Sequence, residues 1–178
     1  MDELGPHWSN YFISVVPIQM CYLNSNEARE LLQAPDPEFS LRYDLGIIDQ
    51  ILTLTRCQPY LLQLIGWSLV NLANERQTQL VTSDLLEAAI PTAFTNGEPY
   101  FTNVWTEFTG ASPGEVTAGQ KLLKALAEGH PFAVDDDETA QAALRQMLRY
   151  HTLERKDGGY RFEIPLVERW VRERAVLT

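Results

Sequence analysis

Between Leu54 and Gln77 the chain reads LTRCQPYLLQLIGWSLVNLANERQ, and the apolar positions after Pro59 recur in steps of three and four: Leu62, Ile65, Leu69, Leu72. That spacing places them on one face of a helix running from Pro59 to about Glu75. Tyr60, Leu61, Leu64 and Trp67 widen the face, which predicts a central helix covered on more than one side. Pro59 suits the first helical turn, where the N–H it lacks would have no intrahelical partner.

The same reading extends on both sides. NSNEARELLQAP predicts a short helix capped by Asn24 or Ser25 and stopped by Pro35. Asp44 is the expected cap of a helix from Leu45 to Thr55, with Ile47, Ile48, Ile51 and Leu52 at helical spacing. VTSDLLEAAIPTAF adds a fourth helix entered through Thr82 or Ser83. Residues 24–95 therefore read as a small all-helical bundle. Ahead of it, YFISVVPIQMCYL (Tyr11–Leu23) is β-branched and aromatic and reads as a buried extended segment with no βα repeat around it.

A new pattern begins near Asn96-Gly97. An aromatic helix (Tyr100, Phe101, Val104, Trp105, Phe108) precedes GASPGEVTAGQKLLKALAEG, where Ser112, Pro113 and Glu115 spell a capping box with proline at the first helical position. A helix from about Glu138 to Tyr150 buries Ala140, Ala143, Leu144, Met147 and Leu148. Two short alternating strands then flank Asp157-Gly158-Gly159, a hairpin signature, and Pro165 opens a last helix to Ala175. Three helices and a β-hairpin are the order of a winged helix. The expected fold is mainly α: an N-terminal extended segment (1–23), a helical bundle (24–95) and a winged-helix domain (96–178).

Charge sharpens this division. The 178 residues carry a net −10, and residues 1–97 hold a net −7 against −3 in residues 98–178, where charges of both signs are denser. An acidic chain is repelled by nucleic acid and anionic lipid. The run Asp135-Asp136-Asp137-Glu138 stands at the tip of the helix that would enter a DNA groove, which argues against DNA binding although Arg145, Arg149, Arg155, Lys156 and Arg161 lie nearby. Those acids read as a helix cap and dipole partner rather than a cation site. Two cysteines, Cys21 and Cys57, form no disulfide framework or metal motif. With no cleavable leader and no apolar run of about 18 residues, a cytoplasmic, membrane-free setting is expected.

Three of the common catalytic and phosphate-binding motifs are missing from the sequence: no GxxxxGK[ST], GxGxxG or HExxH occurs. His7, His130 and His151 are far apart and read as surface or satisfied residues. No catalytic or metal-binding residue is expected.

The succession YLNSNEARELLQAP, YDLGIIDQILTLTRCQPYLLQLIGWSLV, VTSDLLEAA and a winged helix ending YRFEIPLVERWVRE resembles the C-terminal half of STAND-class P-loop ATPases, AAA+-related signalling switches of bacterial and archaeal type. The resemblance spans nearly the whole chain and rests on the order of its parts. It implies that Phe12–Tyr22 is the last strand of a nucleotide-binding sheet. A helical lid would follow, with a G-x-P motif that sets proline against the adenine, and the winged helix would close over the nucleotide. Pro59 matches that proline and Tyr60 begins the helix behind it, while Cys57 stands where glycine is usual, although cysteine tolerates positive φ poorly. Arg56 is the nearest cation to the position of the family's sensor arginine. Where some relatives carry a phosphate-sensing histidine, this chain has Ile164-Pro165.

The phosphate loop, the magnesium-binding acid and most of the sheet would lie upstream of Met1. By this resemblance the chain is noncatalytic, ATP or ADP and magnesium belong to the parent ATPase, and the upstream P-loop domain and other proteins are its partners. Phe12, Ile13, Val15, Val16 and Ile18, or the apolar lid face, are expected to fold back or to pair with a second copy. An independent winged-helix protein-interaction or transcription-associated module is the alternative, and a small-ligand enzyme is a third.

Overall fold

A computed structural model describes residues 22–34, 39–130, 134 and 137–177. Its elements are α1 (Ser25–Gln33), β1 (Arg42–Tyr43), α2 (Ile47–Thr55), α3 (Pro59–Glu75), β2 (Leu80–Val81), α4 (Ser83–Asn96), α5 (Glu98–Thr106), α6 (Pro113–Ala127), α7 (Glu138–Arg149), β3 (Leu153–Lys156), β4 (Gly159–Phe162) and α8 (Pro165–Glu173). The fold is mainly α. The expected strand Tyr11–Leu23 lies outside the described residues except for Tyr22 and Leu23, and Leu23 N–H donates to the Cys57 carbonyl at 3.0 Å.

Local chemistry accounts for most helix starts. Asn24 caps α1 by accepting from the Asn26 and Glu27 N–H groups, and the Glu27 carboxylate accepts from Asn24 N–H in return. Thr82 caps α4 and Asp137 caps α7. Proline occupies the first turn of α3, α5, α6 and α8. At the hairpin, Asp157 and Gly158 both have positive φ, 52° and 79°, the backbone that a two-residue turn between right-twisted strands requires. The turn fixes the register, pairing Glu154 with Arg161 across β3 and β4.

Four local expectations need correction. Asp44 does not cap α2: Gly46 is the cap residue, at φ 80°, and the Asp44 carboxylate instead accepts from Leu45 N–H at 2.7 Å. The Ser112 capping box is half formed, because Glu115 accepts from Ala111 N–H and not from Ser112. The face of α3 is not fully covered: Trp67 is 55% and Tyr60 42% exposed. Finally, β1 and β2 pair in parallel, Arg42 with Leu80 and Tyr43 with Val81. Two-residue strands offer no alternation that a sequence pattern could reveal.

Buried residues of α1–α4 and α5–α8 belong to one hydrophobic cluster. The join is α8, which packs on α6 and also meets α2 and α5. Trp170 of α8 stacks on Phe101 of α5 at 5.5 Å between ring centres and meets Trp105 edge-on at 6.4 Å. Close backbone approach adds to this. A Cβ on Gly119 of α6 would lie 2.4 Å from the Thr109 carbonyl oxygen, so only glycine lets α6 sit against the end of α5. This packing brings the hairpin and the head of α8 up against the turn that precedes α3.

Candidate functional site

That turn is conformationally unusual. Arg56 and Cys57 are consecutive non-glycine residues in the left-handed region, at φ 52° and 60°. Each such residue costs about 1–2 kcal/mol, so the surrounding packing must hold them there. The hold is visible on both sides. Gln58 N–H donates to the Thr55 carbonyl at 3.0 Å, and the Gln58 side chain accepts from Leu61 N–H at 2.7 Å. Pro59 then starts α3 with its φ preset. The positive φ at Cys57 is the backbone that glycine adopts without strain, and cysteine takes it here.

The turn opens into a cleft of about 650 Å³. One wall comes from the bundle, with Arg29 of α1, Asp49 and Leu52 of α2, and Arg56 and Cys57. The other comes from Arg161 and Phe162 of β4, then Glu163, and Pro165 and Glu168 of α8; Tyr22 also lines the cleft. Arg29 pairs with Asp49, and Glu168 pairs with Arg172. Glu163 lies 3.0 Å from His151 Nδ1 and is hydrogen-bonded to the Tyr22 hydroxyl. The Tyr22 phenol is pushed well above its ordinary range, first by burial and then by the neighbouring Glu163 charge. Arg56 reaches Glu154 of β3, which does not itself line the cleft, at 3.5 Å, and Arg161 pairs with the same carboxylate oxygen.

Of the residues singled out from the sequence, Arg56 lines this cleft, with Cys57 beside it. Pro59 and Tyr60 do not line it. Pro59 fixes the helix start behind the turn, and the Tyr60 ring lies against Tyr100 at 5.3 Å. The sequence does not single out Tyr22, Arg29, Glu154 or Glu163, and points to Arg161 only as one of several cations near the acidic helix tip. The Glu154–Arg161 pair was legible, because the Asp157-Gly158 turn dictates which residues face each other. The others meet through tertiary packing and leave no local pattern.

Elsewhere the chemistry is sparse. Among the described residues no group of three His, Cys, Asp or Glu side chains could share a metal ion. Asp137 accepts from Ala140 N–H at 3.0 Å as a helix cap, while Asp135, Asp136, His7 and Cys21 lie outside the described residues. His130 stands 3.6 Å from Glu128 on the surface. No described helix is long and apolar enough to cross a membrane. A second, smaller groove of about 200 Å³ runs beside Trp67, lined by Leu31, Leu62, Tyr43 and Val70 among others. Compared with protein-family models, with curated proteins and with solved structures, the chain matches none.

Proposed function

We propose that this chain is the noncatalytic lid and winged-helix region of a STAND-type signalling ATPase, cytoplasmic, closing over a nucleotide held by an upstream P-loop domain. The observation that carries the reading is the left-handed turn at Arg56–Cys57. It stands directly ahead of a proline at the first position of α3 and opens into a cleft whose far wall is the hairpin and the head of α8. A lid and a winged helix that close on one ligand need such a shared cleft.

The cleft residues fit part of an adenine nucleotide. Leu52, Phe162 and Pro165 offer apolar surface, and Arg56 and Arg161 offer cations for anionic oxygens. On this reading the phosphate loop and the metal-binding acid belong to the partner domain, which supplies the phosphoryl-transfer chemistry. This chain's own contribution is to cover the ligand and to report its presence through the turn and the hairpin. The test compares nucleotide binding by calorimetry for the 178-residue chain and for the chain extended by its in-frame upstream coding sequence. Tight, magnesium-dependent binding by the extended chain alone is expected. Tight binding by the short chain, or an upstream sequence without GxxxxGK[ST], overturns the reading.

One observation favours the second reading, an independent winged-helix interaction module. Trp67 is 55% exposed beside the apolar groove on α3, and exposed aromatics beside apolar grooves commonly anchor protein partners. The same upstream sequence separates the two readings.

A further inference from the structure

Glu154 Oε1 receives two guanidiniums. Arg161 comes from directly across the hairpin, and Arg56 reaches it at 3.5 Å from the turn after α2. The other charged side chains of the cleft are engaged differently: Arg29 with Asp49, Glu168 with Arg172, and Glu163 with the Tyr22 hydroxyl and His151. At Glu154, two cations share one anion. Two guanidiniums from separate elements converging on one oxygen form the geometry that receives a phosphate oxygen, since each planar fork can take a phosphate in bidentate fashion.

We propose that Arg56 and Arg161 form a phosphate-oxygen site for which Glu154 is a built-in competitor, and that its ligand is a small pyrophosphate ester of the nucleoside diphosphate class. The nucleoside part rests on the lid reading above; the phosphate part does not. Three features support displacement of Glu154. The side chains are partly exposed, Arg56 by 43%, Arg161 by 42% and Glu154 by 28%, so the existing ion pairs hold weakly. A pyrophosphate brings more charge and more acceptor oxygens than one carboxylate. Arg56 and Arg161 both line the cleft of about 650 Å³, which falls within the usual range of small-molecule sites, whereas Glu154 does not line it. Without ligand, Glu154 ties the turn to the hairpin; with ligand, the two arginines are tied through the phosphates, and Glu154 is released to solvent. The wild-type chain then binds free pyrophosphate weakly, because the competitor is tethered at the site.

The experiment is a calorimetric titration of sodium pyrophosphate into the wild-type chain and into Glu154→Gln at matched low salt. Removing the competitor is expected to tighten binding by about tenfold or more, and adding Arg161→Ala to the Gln variant is expected to abolish the gain. A Gln variant that binds no more tightly than wild type, or a gain that survives Arg161→Ala, overturns the proposal. ADP is expected to bind the Gln variant more tightly than pyrophosphate; equal or weaker binding overturns the nucleoside part. Should the Gln variant lose its helical circular dichroism, the wild-type chain serves. Pyrophosphate should then move the Arg56 and Arg161 Nε–H resonances before any other arginine, and a uniform or absent response overturns the proposal. None of these outcomes depends on an upstream phosphate loop, so this inference and the lid reading can fail separately.

Discussion

Lys124 on α6 closes the end of the last helix. Its ammonium donates to the Val171 carbonyl at 3.1 Å and to the Arg172 and Ala175 carbonyls at 3.2 Å each. Carbonyls in the last turn of a helix have no intrahelical donor, and a cation there also complements the macrodipole. Lys124→Met keeps the apolar stem and removes all three donors. Hydrogen bonds to a charged group contribute about 1.5–3 kcal/mol. The three bonds share one ammonium on a side chain that is still 20% exposed, so they do not sum. With the dipole contribution of about 0.3–1 kcal/mol, a loss of roughly 2–3 kcal/mol is expected. For a domain of this size that lowers Tm by roughly 4–12 °C. Urea melts followed by circular dichroism give the free energy, and Glu128→Gln is the control. The Lys124–Glu128 pair is 3.8 Å apart and exposed, so that variant should cost less than about 0.5 kcal/mol. A Lys124→Met variant as stable as wild type, or a Glu128→Gln variant that loses as much, would refute the helix-end role.

Gly119→Ala should destabilise by about 1–3 kcal/mol in the same melts, although alanine is the better helix former, because its Cβ meets the Thr109 backbone at 2.4 Å; an unchanged midpoint would show that α6 can move away freely. The Thr152 hydroxyl is buried with no partner, so Thr152→Val should raise stability by about 1 kcal/mol, whereas a loss would reveal a water bound in the small cavity beside it. Burial pushes the Tyr43 phenol from 10.0 up to about 12, and burial together with Tyr60 and Glu163 does the same to Tyr100. The unfolded chain gives up these protons first. Stability from both phenols is thus complete below pH 10 and is lost as pH rises towards 12. Tyr43→Phe should flatten the alkaline decline followed by tyrosinate absorbance and circular dichroism, and an unaltered slope would rule Tyr43 out as a cause.

How far the sequence carried differs from element to element. The helices with polar caps or a first-turn proline were legible, since Asn24, Thr82, Pro59, Pro113 and Pro165 each satisfy or remove a free N–H. The hairpin was legible from Asp157-Gly158. Trp67 was misplaced because periodicity tells which residues share a face and is silent on what covers it. Gly46 displaced Asp44 as a cap because a left-handed residue turns the chain into α2 before the carboxylate can reach an N–H of that helix. In the cleft, the resemblance points to Arg56 as the cation nearest the sensor-arginine position, but its pairing with Glu154 spans 98 residues and arises when α8 docks on α2 and α5. Contacts of that kind leave no spacing to read.

Whether the turn at Arg56–Tyr60 lies against a nucleotide is tested most directly by photolabelling. The protein, expressed with its upstream coding sequence, is irradiated with an azido-adenine diphosphate, digested, and mapped by mass spectrometry. Label on the peptide containing Arg56, Cys57 and Pro59, competed away by ADP, is the predicted result. Label confined to peptides outside the cleft, or label that ADP does not displace, would contradict the assignment of this chain as a nucleotide-closing lid.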